Sequence, residues 1–197
     1  MTQPNLDGAA IIDVLNRHGV EYVVIGAFAA QLHHAPIPAT FDIDFTPART
    51  PDNFARLDMA LTELRAKIRI KDAPYELSFG HSPSSIAHID VLNLTCEFGD
   101  FDLSWVPSGT TGYDDLARSA HTILIGDISA RVADLGDVIR SKRAAGRPKD
   151  LAVLPILSMY AETLGINIAD PVDPPVPEVP QEAVPDGIKP PGYRRRR

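Results

Sequence analysis

Two aspartates one residue apart, Asp42 and Asp44, are the residues of this sequence best suited to hold a cation. They belong to the segment Phe41-Asp42-Ile43-Asp44-Phe45, whose alternation predicts a β-strand. Alternate side chains of a strand share a face, so both carboxylates point one way, roughly 6.5 Å apart, and the three apolar side chains point into the core. Paired carboxylates repel each other unless a cation lies between them, and their oxygens suit Mg²⁺ or Mn²⁺. The alternative is an edge strand with a solvated acidic face.

A glycine turn precedes this strand. The segment Glu21 to Ile25 predicts a buried strand that stops at Gly26, and Ala27 to His34 is compatible with a short helix. Glycine lets the backbone approach a bound group closely, and N–H groups at a helix start hold phosphate oxygens. We therefore expect Gly26 and Ala27 to supply backbone donors to a phosphate.

A third acid, Asp90, lies in the segment Ile86 to Leu94. The pattern predicts a strand there, with Ala87, Ile89 and Val91 on one apolar face. A lone aspartate is unfavourable inside a strand, which is an argument for a functional role; an exposed strand face is an equally open alternative. We expect Asp90 to lie on a strand next to the Asp-x-Asp pair.

Positive charge is concentrated in one part of an acidic chain. The formal net charge of −7 argues against broad binding to nucleic acid, and DNA is not expected as a partner. The span Arg131 to Lys149 carries six positive and two negative residues, and six minus two leaves +4. Such a cluster is typical of a phosphate site, and the alternative is a solvated helix face. Two helices, Asp134 to Ala145 and Pro148 to Leu164, are predicted with a break near Gly146.

The elements that must position these residues alternate between helix and strand, which predicts an α/β or α+β fold with a mixed sheet. Further predicted elements are helices at Leu6–His18 and Pro51–Ala66, and short strands at Ile68–Ile70, Tyr75–Phe79, Phe101–Trp105 and Thr122–Ile125.

From position 171 onward, eight of the 18 prolines fall within 27 residues, and the chain ends in four arginines, Arg194 to Arg197. We interpret 1–130 as a core, 131–170 as the C-terminal helical part of the same domain, and 171–197 as an extended or disordered tail.

The composition excludes several classes of protein. The chain has 197 residues, 44% hydrophobic and 23% charged, as in globular proteins. No apolar stretch approaches a membrane span and the N-terminus does not resemble a signal peptide, so a cytoplasmic location without a membrane partner is expected. The single cysteine, Cys96, allows no intrachain disulfide and is expected to serve packing.

The order of these features resembles the nucleotidyltransferase superfamily that includes DNA polymerase beta. In that superfamily a strand leads to a Gly-Ser turn, a short helix and then an Asp-x-Asp strand. Here the turn is Gly26-Ala27, and Asp42 follows Ala27 by 15 residues (42 minus 27). Alanine in place of serine removes one hydroxyl contact to a phosphate and leaves the backbone amides in place.

The later basic segment sharpens the resemblance. A helix with Lys142, followed by Gly146-Arg-Pro-Lys-Asp150 at the start of the next helix, is similar to the AbiEii group of nucleotidyltransferases and the related mycobacterial MenT toxins. The resemblance covers roughly residues 21 to 164. It identifies Lys142 and Asp150 with the motif lysine and aspartate of that group. Arg147 and Lys149 are neighbouring candidates for phosphate contact.

The resemblance implies a polymerase-beta-like core and a Mg²⁺-dependent transfer of NMP from an NTP, such as ATP, to the 3′ acceptor end of tRNA. It further implies growth inhibition by a toxin that blocks aminoacylation and is neutralised by a separate antitoxin protein. Asp42 and Asp44 would then hold the metal, Asp90 or Asp150 would complete its shell or help remove the acceptor proton, and Lys142 would neutralise charge on the leaving group.

Two other interpretations remain open at this stage, together with one regulatory hypothesis. The chain could transfer nucleotides to a small molecule or a protein, or it could be a non-catalytic binding module, which Ala27 favours. Thr40 lies two residues before Asp42, and a phosphate on it would repel an incoming triphosphate. Phosphorylation of Thr40 is therefore a hypothetical way to silence the enzyme.

Overall fold

The computed structural model describes residues 6–70, 76–78 and 80–172. Within these ranges one sheet contains eight strands, and the helices flank it. The strands are β1 Tyr22–Ile25, β2 Asp42–Pro47, β3 Lys67–Arg69, β4 Glu76–Leu77, β5 Val91–Cys96, β6 Gly99–Ser104, β7 His121–Ile125 and β8 Ile128–Val132. The helices are α1 Gly8–Arg17, α2 Gly26–Leu32, α3 Pro51–Glu63, α4 Pro83–Ile86, α5 Tyr113–Ser119, α6 Leu135–Ala145 and α7 Pro148–Thr163.

The sheet is mixed, as the alternation of elements predicts. Its order is β4-β3-β5-β6-β2-β1-β8-β7, with β2 parallel to β6, β1 parallel to β8, and antiparallel pairing elsewhere. All four residues of β1 are buried, which explains its unbroken run of apolar residues at the centre of the sheet. The predicted mixed α/β class is confirmed.

Local sequence signals fix several helix boundaries. The Asp7 carboxylate accepts a hydrogen bond from the Ala10 N–H at 3.0 Å and so caps α1. Thr50 caps α3, and Pro51 occupies its first turn. The predicted helices 6–18 and 51–66 thus correspond to α1 and α3, each a little shorter than predicted. No described helix is both long and apolar enough to cross a bilayer.

The prediction of one strand over Ile86–Leu94 is wrong. The segment opens with the end of α4, where Ser82 and Ser85 form a capping box around Pro83 and stabilise a single helical turn. Strand β5 begins only at Val91. Its buried apolar residues are Leu92 and Leu94, so the apolar face is the opposite of the predicted one.

Two further differences concern strand ends and a hairpin. Phe41 is 69% exposed and not in the core, because β2 begins one residue later; Ile43 and Phe45 are fully buried as predicted. Strand β8, which the sequence reasoning missed, pairs with β7 through a tight turn at Gly126, whose φ is +61°. The predicted strand at 75–79 lies partly outside the described residues, as does the tail beyond position 172.

Candidate functional site

Four carboxylates line one face of the central strand pair. The parallel register of β2 and β6 places Asp42 beside Asp100 and Asp44 beside Asp102. The apolar residues between them on both strands are buried on the other face. The alternation seen in β2 is therefore repeated in β6, and the two strands together concentrate negative charge on one surface.

A glycine brings the backbone against the innermost of these acids. Gly26 has φ of +79° and opens α2, and the register of β1 with β2 pairs its neighbour Ile25 with Asp44. A Cβ on Gly26 would lie 2.0 Å from Oδ2 of Asp44, so the Asp44 carboxylate would have to move aside. Two features favour glycine at this position: the positive φ of the backbone and the close approach of the Asp44 carboxylate.

Two of these acids, Asp44 and Asp102, have raised pKa values. Burial, followed by the charges of Asp42 and Asp102, raises the pKa of Asp44 to about 7, against the partial opposition of Lys149 and Lys142. Burial also raises the pKa of Asp102, although the guanidinium of Arg69 opposes it. A cation placed among these carboxylates would relieve both effects.

Arg69 partly neutralises the two acids of β6, Asp100 and Asp102. Its Nη2 donates to Oδ1 of Asp102 at 2.5 Å, and its Nη1 lies 3.5 Å from Oδ2 of Asp100. Among the described residues, neither Asp42 nor Asp44 forms an ion pair. Asp42 instead accepts a hydrogen bond from the Thr40 hydroxyl at 2.7 Å.

The facing wall is basic and is organised by one buried aspartate. Asp150, at the start of α7, is 0% exposed and accepts from Nζ of Lys142 at 3.1 Å and from Nε of Arg147 at 2.5 Å. Burial alone would raise the pKa of Asp150, but the hydrogen bonds from Arg147 and Lys142 outweigh it and lower the pKa. Gly146 in the left-handed conformation ends α6 and lets the chain return to form this cluster. Because both oxygens of Asp150 face cations, this residue suits positioning Lys142 rather than a metal shell.

The basic span does not act as one surface. Arg140, two residues before Lys142, is buried and pairs with Asp115 at 3.0 Å and Asp137 at 2.8 Å. It therefore stabilises the fold and cannot reach a ligand. Lys149, by contrast, is exposed and makes no ion pair with any residue of the described ranges.

One cavity of about 490 Å³ unites the acidic and basic walls. Most residues singled out from the sequence line it, and the structure adds Asp102 to them. The residues concerned are Gly26, Ala27, Thr40, Asp42, Asp44, Asp102, Lys142, Arg147, Lys149 and Asp150.

Asp90 is the exception, and its assignment as the third acid is corrected. Asp90 lies just before β5, its side chain is 89% exposed, and it pairs with Arg49 at 3.1 Å. Asp90 is not among the residues that line the cavity. The cavity wall holds Asp102 instead. A signal for Asp102 existed, because Asp100-Phe101-Asp102 repeats the alternation of β2.

The site fits a divalent metal by its donor set. In the described ranges no three acid, imidazole or thiol groups are already clustered closely enough to hold an ion. The carboxylates of Asp42, Asp44 and Asp102 nevertheless offer the hard oxygen ligands that Mg²⁺ prefers, and the missing Cβ of Gly26 lets the Asp44 carboxylate lie against the turn. Arg69 binds Oδ1 of Asp102, and Oδ2 of this carboxylate would be the oxygen that holds a metal.

Comparisons with known proteins include the two structural likenesses described here. No family model and no curated protein matches the chain. A candidate nucleotidyltransferase from Thermotoga maritima is 14% identical with a TM-score of 0.42, over 79% of this chain and 89% of that one. The antibiotic-resistance factor ANT(2'')-Ia is 12% identical with a TM-score of 0.47, over 80% of this chain and 84% of that one. Because both TM-scores are low, neither likeness decides what this chain does, and the function proposed below comes from the geometry of the site.

Proposed function

We propose that this protein is a Mg²⁺-dependent nucleotidyltransferase that moves NMP from an NTP to the 3′ acceptor end of tRNA, with pyrophosphate as the leaving group. One observation carries the proposal: a single cavity contains the β2–β6 carboxylates, the Gly26 turn, and Lys142 held by Asp150. Acidic metal ligands facing a basic phosphate wall suit an enzyme that must bind both a divalent ion and a triphosphate.

Each wall has a separate task in this proposal. Asp42, Asp44 and Asp102 would hold Mg²⁺, which when bound stabilises charge on the attacking and leaving oxygens. The backbone N–H groups of Gly26 and Ala27 would donate to phosphate oxygens. Lys142 and Arg147 line the same cavity and would contact the triphosphate, and Asp150 would hold Lys142 in position.

The test is an assay with labelled NTPs and three acceptors: total tRNA, protein extract and small metabolites. Asp42→Asn and Asp44→Asn should reduce transfer at least about a thousandfold, because a lost metal ligand removes several kcal/mol of transition-state stabilisation. Asp90→Asn is the matched control, an acid outside the cavity whose removal should leave transfer unchanged. Transfer by the Asp42 and Asp44 variants at the wild-type rate would overturn the proposal, and labelling of protein or metabolites alone would replace tRNA as acceptor.

The toxin role is part of the same proposal. It is supported by the resemblance of the 142–150 segment to the AbiEii and MenT group. Expression of the wild-type protein should arrest growth, whereas Asp44→Asn should not, and co-expression of a cognate antitoxin should restore growth. Growth arrest of equal strength by Asp44→Asn would contradict a catalytic toxin.

Thr40 is proposed as a regulatory site of this enzyme. Its hydroxyl donates to Asp42, so a phosphate on it would place negative charge directly beside a metal-binding carboxylate. Mass spectrometry of protein expressed with and without its neutralising partner tests this. Unmodified Thr40 in the silenced protein would count against it.

A further inference from the structure

A second, more open cavity adjoins the one described above. It has a volume of about 290 Å³ and shares Ala39, Thr40, Asp42 and Lys149 with the larger cavity. Its own wall adds Phe41, Arg69 and Asp100. Asp42 therefore lines both cavities, and a group bound in either one would lie beside it.

An exposed aromatic ring borders this second cavity. Phe41 is 69% exposed, although its neighbours along the chain alternate into the core from Ile43 onward. An exposed phenyl ring has a flat apolar face, on which any of the four nucleobases can stack. Such stacking is available only to bases that are already unpaired, as at a single-stranded end.

Two cationic side chains line the same cavity as this ring. Lys149 is exposed and makes no ion pair within the described part of the chain, so its charge is available to a phosphate. Arg69 is paired with Asp100 and Asp102, so its charge is already used by these acids and Lys149 is the cation that remains for a ligand. An aromatic face next to positive side chains is the combination that proteins use to bind single-stranded nucleic acid.

Resting on the proposed function, we propose that this second cavity binds the single-stranded 3′ end of the acceptor RNA, with its terminal base on Phe41 and its backbone phosphate on Lys149. An in-line displacement requires the acceptor hydroxyl to approach phosphorus opposite the leaving pyrophosphate. Two cavities that share Asp42 leave room for both partners beside the same carboxylate, with the triphosphate in the larger cavity and the acceptor in the smaller.

The test is direct binding of a fluorescent single-stranded RNA of about eight nucleotides, followed by anisotropy with the full-length protein. Phe41→Ala should weaken binding about tenfold, because stacking of one base contributes roughly 1–3 kcal/mol. Phe41→Trp should restore it to near the wild-type value. Leu124→Ala is the matched control, because Leu124 is 68% exposed on β7, at the far edge of the sheet, and its loss should not change binding.

Blunt double-stranded RNA serves as competitor and should not displace the probe. Equal binding by Phe41→Ala and the wild type, or displacement by the blunt duplex, would overturn the acceptor assignment. Calorimetry with Mg²⁺ and each of the four NTPs tests the nucleotide site separately, and Phe41→Ala should leave those affinities unchanged. Absence of binding of every NTP by the wild type would defeat the proposed function, whereas intact NTP binding with unaltered RNA binding by Phe41→Ala would defeat only this inference.

Discussion

Two aspartates of the same cavity, Asp44 and Asp150, have opposite electrostatic surroundings. Asp150 is held by Lys142 and Arg147, which lower its pKa despite burial. Asp44 has no cationic partner at hydrogen-bond distance among the described residues, and burial beside two other acids raises its pKa to about 7. Asp150 therefore forms part of the ion-paired framework of the folded protein, whereas the carboxylate of Asp44 is in an unfavourable environment that a bound cation would relieve.

The largest effect should come from a change at Asp150, whose carboxylate is paired with Lys142 and Arg147. Asp150→Asn leaves the ammonium of Lys142 buried without a counter-ion, so we expect the free energy of unfolding to fall by about 3 kcal/mol or more. Arg147→Gln should cost less than about 1 kcal/mol, because Arg147 is largely exposed. Urea unfolding of both variants measures the difference. Similar losses for the two variants would show that the contact between Asp150 and Lys142 does not dominate the effect of Asp150→Asn on the free energy of unfolding.

A second, smaller loss should follow from filling the space beside Asp44. Gly26→Ala imposes a positive φ on alanine and places its Cβ against the Asp44 carboxylate, and we expect a loss of about 2 kcal/mol. In an Asp44→Ala background the steric part disappears. The cost of Gly26→Ala should then be smaller, as a double-mutant cycle of thermal unfolding would show. An identical cost in both backgrounds would attribute the whole effect to the backbone angle.

The raised pKa of Asp44 predicts an unusual pH dependence of the free energy of unfolding. Because the folded-state pKa of Asp44 lies above its ordinary value of 3.8, the folded state retains a proton that the unfolded state has lost. Asp44 therefore lowers the free energy of unfolding as pH rises from about 4 to about 7. Asp150 behaves in the opposite way: its contribution is present above its ordinary pKa and is lost on acidification through the lowered folded-state value.

Asp44→Asn should accordingly stabilise the metal-free protein at pH 8 by about 1 kcal/mol, and by less near pH 4.5. Millimolar Mg²⁺ should raise the melting temperature of the wild type and not that of the variant. Thermal unfolding at the two pH values, with and without Mg²⁺, measures both effects. A destabilised Asp44→Asn at pH 8 would show that Asp44 has a partner of its own in the folded protein.

Local pattern was sufficient for much of this architecture. The alternation of β2 predicts that Asp42 and Asp44 share a face, and the strand-glycine-helix order predicts the turn at Gly26; both depend only on neighbours along the chain. The same is true of α3, whose start at Thr50 and Pro51 is a local capping signal. Such features are determined by backbone geometry within a few residues.

The partners of these residues were decided by tertiary structure. The parallel pairing of β2 with β6 brings in Asp102, whereas Asp90, equally acidic in sequence, lies in solvent because α4 delays the start of β5. Likewise Arg140 and Lys142 differ by only two positions on α6, yet one pairs inside the core and the other faces the cavity. Strand pairing and helix facing depend on contacts between segments far apart in the chain, so no local pattern of residues could determine them.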